Sequence, residues 1–172
     1  MKTSKTVRGT VAYLVRRSGG SEEICLAPKK ATENSIKRGL AGKFNGYGGG
    51  TELADISIEA AALRELSEES TVIAKPEDFE KVAEILFVNL WGDYHCDFFL
   101  VRKFKGEPQE TKEMGEPIWF PFQKDLLPFY QMMDSDKYFL APIADGKKLK
   151  GTIWHGENVK VTRTEIRYVQ HF

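Results

Sequence analysis

Between Phe44 and Val72 the chain reads FNGYGGGTELADISIEAAALRELSEESTV, a glycine-rich turn that empties into a short helix. Gly48, Gly49 and Gly50 permit backbone angles and close approaches that other residues forbid. Ser57 is the expected N-cap, and Ile58 to Ser70 is built from good helix formers. Ala62, Leu63 and Leu66, with Ile58 one turn earlier, give this helix an apolar side. Glu65, Glu68 and Glu69 fall at i, i+3 and i+4 and so project together, flanking or opposing the packed side. Three like charges on one turn repel each other unless something cationic lies between them. In an ordinary charged helix that is solvent and lysine; in a catalytic one it is a divalent metal.

The other 143 or so positions narrow the choice. A chain of 172 residues fits one domain, residues 1–172, and buries about two-thirds of the surface its unfolded form exposes. Lys+Arg and Asp+Glu balance at 25 each, and no dense basic run offers phosphate contacts to a nucleic-acid polymer. A small phosphorylated ligand needs only a local site and stays open. Cys25 and Cys96 sit in apolar stretches and read as buried, reduced thiols. His95, His155 and His171 lack the spacing of a zinc site. No segment reaches the ~18 apolar residues of a membrane span, so no membrane partner and a cytoplasmic location are expected. Oligomeric state is not legible.

Taken in order, Val7–Arg16 and Glu23–Pro28 read as a hairpin around Ser18-Gly19-Gly20-Ser21. Residues 29–43 read as a long polar loop carrying Lys29, Lys30, Lys37, Arg38 and Lys43. After the helix, strands are expected over Val82–Trp91 and Tyr94–Phe104, joined at Gly92-Asp93. A short strand spans Pro117–Phe122, a helix preceded or broken at Pro128 is expected over Asp125–Leu140, and a hairpin over residues 148–168 closes the chain. The order β-β-β-α-β-β-β-α-β-β predicts an α/β or α+β sandwich with a mixed sheet.

The helix string Arg64-Glu65-Leu66-Ser67-Glu68-Glu69, coming after the glycine turn and before Val72, resembles the Nudix hydrolase signature Gly-x5-Glu-x7-Arg-Glu-U-x-Glu-Glu-x-Gly-U, where U is bulky aliphatic. The resemblance covers most of the chain. Asn45-Gly46-Tyr47-Gly48-Gly49, Glu113-Met114 with Trp119-Phe120, Asp136-Lys137-Tyr138-Phe139 and the terminal hairpin look like the branch of oxidised-purine nucleoside triphosphatases. It implies an α/β/α sandwich and a Mg²⁺-dependent pyrophosphohydrolase, with Mn²⁺ as a possible substitute. The implied substrates are nucleoside triphosphates such as 8-oxo-dGTP, released as monophosphate and pyrophosphate to cleanse the nucleotide pool.

By the same resemblance Glu68 and Glu69 are the principal metal ligands, with Glu65 as ligand or base and a carbonyl of Gly48 or Gly49 completing the site. Arg64 orients a glutamate through a charge-assisted bond. Glu113 reaches the metal from a loop, with Glu110 and Glu116 as surface competitors for that place. Asn45 offers donor and acceptor to a purine edge, and Asp134 or Asp136 faces the other edge unless it caps a helix. Thr10 and Lys29 match positions near the ligand, or serve as a strand threonine and a loop lysine. Phe139 and Trp119 stack on the base or pack the core.

The pattern breaks twice. Counting five residues on from Gly50 places Ile56 at the glutamate of the signature, whereas counting from Gly49 gives Asp55 with one extra residue before Arg64. The preferred reading is a one-residue loop insertion with Asp55 in the acidic role. Thr71 stands where the signature has glycine, so a reshaped helix end is expected. These departures keep two alternatives in play: a hydrolase of nucleoside diphosphate sugars, and a nucleotide-binding module without turnover.

Overall fold

The computed structural model describes residues 6–172. The elements are β1 (Val7–Ser18), β2 (Ser21–Pro28), α1 (Glu33–Lys37), β3 (Phe44–Asn45), α2 (Ile58–Ser70), β4 (Phe79–Val88), β5 (Tyr94–Val101), β6 (Ile118–Pro121), α3 (Asp136–Ala144), β7 (Lys148–His155) and β8 (Val161–Val169). They form a mixed sheet in the order β3-β2-β1-β5-β4-β7-β8, with β6 paired to β2. β1 runs parallel to β5 and β4 parallel to β7, while the remaining strand pairs are antiparallel.

Alternation along β1 explains the layers. Val11, Tyr13 and Val15 point into one core with Phe98, while Ala12 and Leu14 point into the other with Phe99. A strand buried on both faces reads as a continuous apolar run, which VAYLV is. Helix α3 covers the first core through Phe139, Leu140 and Ile143, and α2 covers the second through Ala62 and Leu66. The architecture is the expected α/β/α sandwich.

Two segments depart from expectation. Residues 29–43 hold a short helix, α1, started by a capping box in which Ser35 N–H donates to Thr32 Oγ1 (3.1 Å) and Thr32 N–H donates to Ser35 Oγ (2.8 Å). Helix α3 begins at Asp136 and not at Asp125. Pro128 has no N–H to give and disfavours helix for Leu127, so the chain there makes only a 3₁₀ turn, Phe129–Gln131.

The glycine turn is stitched beside β1. Thr10 N–H donates to Gly49 O (2.9 Å), and Ala12 and Tyr47 exchange two backbone bonds of 2.7 and 2.9 Å. A Cβ on Gly48 would lie 1.9 Å from Thr10 O, and one on Gly49 would lie 2.8 Å from the Glu65 carboxyl. No side chain fits at Gly48, and one at Gly49 would push the Glu65 carboxyl aside.

Candidate active site

Helix α2 starts as its sequence dictates: the Ser57 hydroxyl accepts from Ala60 N–H at 3.0 Å. Its end is unusual. Thr71 adopts φ 65°, and its N–H closes the helix on Ser67 O. The chain therefore keeps the left-handed cap that the signature glycine provides, at a steric cost to threonine.

Within this frame Arg64 is the hub. Its fork holds both oxygens of Asp55, Nε to Oδ1 at 3.1 Å and Nη2 to Oδ2 at 2.9 Å. Nη2 also donates to Gly50 O (3.1 Å), and Nη1 donates to Glu65 Oε1 (2.7 Å) and, more weakly, to Glu68 Oε2 (3.4 Å). Asp55 is thus the loop carboxylate that meets the helix, whereas Ile56 lies in solvent. The Arg64 bonds hold the Asp55 carboxyl below its usual range, while burial pushes Glu65 upward against the opposing pull of Arg64.

Glu69 differs from its neighbours, which the grouping of the three glutamates as one charged side did not anticipate. It lies on the packed side of α2, three residues after Leu66, and is only 2% exposed. Its Oε2 accepts from Gly48 N–H (2.8 Å) and its Oε1 from Lys29 Nζ (2.5 Å). Burial pushes its carboxyl up to about 7, although Lys29 and the Gly48 amide both favour the ionised form. Lys29 also donates to Gly48 O at 3.0 Å. The ammonium therefore sits between a carboxylate and a carbonyl, in a place built from hard oxygen donors.

Among the described residues no three carboxylate, imidazole or thiol groups converge on one point. Glu65 and Glu68 lean to Arg64, Glu69 to Lys29, and the three glutamates are held apart by these cations. The donors are nonetheless all oxygens, the set a hard divalent ion takes. Gly49 O accepts from the amide of Thr10, and the carbonyl that meets the ammonium is that of Gly48.

Around these groups lies a polar cleft lined by Thr10, Lys29, Gly48, Glu65, Glu68 and Glu113 among others. Glu113 is exposed at its rim, carried there by the pairing of Met114 with Lys29. Glu110 is held outside by Lys30 Nζ (2.6 Å), and Glu116 does not line the cleft. Thr10 is buried in the wall, its hydroxyl without a hydrogen-bond partner among the described residues.

The cleft opens into an apolar pocket, and Val11, Arg38, Leu40, Asn45 and Tyr94 belong to both. Phe98 and Phe139 pack at 4.5 Å in its floor, with Phe87 edge-on to each. Asn45 Oδ1 accepts from Gly46 N–H (2.8 Å), which leaves its amide nitrogen as the free end. Asp136, at the first turn of α3, is buried in the pocket wall, and burial pushes its carboxyl up to about 7.

Asp134 and Trp119 lie elsewhere. The Asp134 carboxylate binds Lys137 (3.0 Å) and Val161 N–H (2.9 Å), tying the approach to α3 onto β8, and these partners hold it below the usual range. Trp119 stacks on Phe104, under the Arg16 guanidinium at 4.0 Å, on the opposite face of the sheet.

Sequence reasoning missed several pocket residues: Arg38, Phe87, Asn89, Trp91, Tyr94 and His155. The Arg38 guanidinium lies 4.2 Å from the Tyr94 ring, and α1, which delivers it, was legible only from its Thr32-x-x-Ser35 box.

Comparison with known proteins identifies the family. The family profile of the NUDIX domain matches residues 5–141. An oxidized purine nucleoside triphosphate hydrolase of Danio rerio is 36% identical over 131 residues, covering 74% of this chain and 80% of that protein. Its namesake in Mus musculus is 30% identical over 152 residues, covering 87% of this chain and 94% of the mouse protein. A MutT protein from Bacillus halodurans superposes with a TM-score of 0.73 at 20% identity, covering 93% of this chain and 97% of that one, and so shares the fold. The signature helix, the glycine turn it packs on and the profile match lead to one conclusion: the chain belongs to the Nudix hydrolase family.

Proposed function

We propose that this Nudix hydrolase cleaves purine nucleoside triphosphates, oxidised purines such as 8-oxo-dGTP among them, to the monophosphate and pyrophosphate, and so cleanses the nucleotide pool. The observation that carries this reading is the joining of two unlike cavities. The glutamate-lined cleft suits phosphates and their counter-ions, and the aromatic pocket ends in Asn45 and a readily protonated Asp136. A neutral carboxyl donates to a purine oxygen while its second oxygen accepts, as a purine edge demands. The names of the relatives support the same substrate class.

Nudix hydrolases generally use divalent ions, and the oxygen-only donors here favour Mg²⁺, with Mn²⁺ as a substitute. Glu65, Glu68, Glu69 and Gly48 O are the groups that would hold it, with Glu113 reaching in from the rim. Such an ion, when bound, neutralises phosphate charge and lowers the pKa of a coordinated water. The chain supplies the rest. Arg64 fixes Glu65 and Glu68 against Asp55, Lys29 balances Glu69, and Gly48 and Gly49 let the phosphates approach the backbone closely. Glu65, raised in pKa and anchored, is placed to take a proton.

The test is pyrophosphate release from a panel of canonical and oxidised (d)NTPs and nucleoside diphosphate sugars, with Mg²⁺ or Mn²⁺. Turnover of a purine triphosphate that falls at least about 100-fold in Glu69→Gln is expected. Turnover of the sugar conjugates alone, or of nothing, would overturn the proposal.

A further inference from the structure

His155 ends β7 in the wall of the apolar pocket, stacked on Phe87 with centroids 5.7 Å apart and planes 11° from parallel. It is 8% exposed, and its Nδ1 lies 2.8 Å from Asn89 Oδ1. Which nitrogen carries the proton follows from Asn89. The Asn89 amide nitrogen donates to Phe87 O (3.3 Å) and Gly92 O (3.1 Å), and carbonyls only accept. That fixes Oδ1 toward the imidazole, and because Oδ1 also only accepts, Nδ1 must be the protonated nitrogen.

In a neutral ring, Nε2 then keeps a bare lone pair. It is buried and has no hydrogen-bond partner among the described residues. Burial lowers the pKa of His155, which keeps the ring neutral at pH 7. An orphaned buried acceptor costs roughly 1–3 kcal/mol until something donates to it. Several other polar groups of the pocket can donate: the Asn45 amide nitrogen, the Arg38 guanidinium, whose Nε is also without a hydrogen-bond partner among the described residues, and the Asp136 carboxyl when neutral. Nε2 of the neutral ring can only accept, and the chemistry that satisfies it is an N–H on the ring that fills the pocket.

We propose that His155, oriented by Asn89, is a specificity-determining residue that accepts a hydrogen bond from an exocyclic amino group of the purine, so that amino-substituted purines are preferred over the same ring lacking that group. The proposal rests on the purine-nucleotide reading above. It assigns Asn89 a positioning role, because this residue acts only through the imidazole.

Binding of product nucleotides tests it without requiring turnover. The dissociation constants of dGMP against dIMP, which differ by the 2-amino group, and of dAMP against the purine deoxyriboside monophosphate, which differ by the 6-amino group, are measured by calorimetry. The protein is expected to favour the amino member of one pair by about 10- to 100-fold. His155→Phe keeps the stacked ring without the acceptor, and the ratio should collapse to within about twofold, with His155→Gln restoring part of it. If His155→Phe does not fold, Asn89→Leu releases the tautomer and carries the same expectation. A ratio that survives these variants, or no preference in either pair, overturns the assignment. Failure of the hydrolysis assay would count against the proposed reaction but would leave this readout intact.

Discussion

Lys29→Met would remove the ammonium that holds Glu69. The pair is nearly dry, with side chains 11% and 2% exposed, and Nζ lies 2.5 Å from Oε1 and 3.0 Å from Gly48 O. Taking one partner from a buried ion pair leaves an uncompensated charge, and costs about 3–5 kcal/mol. In a domain of this size that is a fall of roughly 6–20 °C in Tm without metal. The cost should depend on pH. Glu69 sits near 7 with Lys29 in place, and losing the cation raises it further. The folded variant then holds a proton that the folded wild type releases, so the variant loses stability more steeply as pH rises above about 7. At pH 5 the carboxyl is neutral in both and the gap narrows.

Removing both partners isolates the pair from its surroundings. Lys29→Met combined with Glu69→Leu should be far less damaging than the sum of the single changes, because no charge is stranded. Urea denaturation with a chelator present, at pH 5 and pH 8.5, measures all four proteins. A Lys29→Met loss below about 1 kcal/mol at pH 8.5 would refute the reasoning, as would a double variant as unstable as the two losses added. Adding Mg²⁺ gives a further reading: an ion that takes the ammonium's place raises the Tm of Lys29→Met more than that of wild type.

Other expectations follow from single residues. Thr71→Gly relieves a left-handed threonine at a cost in unfolded-state entropy, for a net gain of about 0.5–1 kcal/mol and 1–4 °C in thermal denaturation; an unchanged or lower Tm would mean that the cap is unstrained. Asp136, near 7 when folded against about 3.9 unfolded, holds its proton in the folded state across that window, so its contribution is fullest below pH 4 and declines as pH rises to 7. Asp136→Asn, which cannot ionise, should flatten that part of the stability profile by an amount on the order of 2–4 kcal/mol, and a profile parallel to wild type would count against a buried, protonated Asp136.

Much of this was legible in the sequence because the physics was local. Apolar runs bounded by turn residues specified the strands, Ser57 the start of α2, and Gly19-Gly20 and Gly92 the turns. Two features that were misread had signals. Thr32-x-x-Ser35 is a capping box inside a loop that looked merely basic, and Glu69 follows Ala62 by seven residues and Leu66 by three, which is the packed stripe. Reading the three glutamates as one charged side hid the one that is buried. Tertiary placement was not legible. Nothing local says that Asn89 and His155, 66 residues apart, meet across adjacent parallel strands, or that Asp136 faces a cavity while Asp134 grips β8.

The two cysteines lie in opposite cores, and their positions make them paired reporters. Cys25 lies under α2 beside Tyr47, and Cys96 lies under α3 in the wall of the aromatic pocket. Burial pushes the Cys25 thiol up to about 11 and Cys96 in the same direction, so neither is a nucleophile until its own side of the sheet opens. A thiol reagent therefore times two openings in one molecule. Occupancy of the aromatic pocket slows the clock at Cys96, and loosening of the glutamate helix quickens the one at Cys25. When the two rates move together, the sandwich opens as a unit.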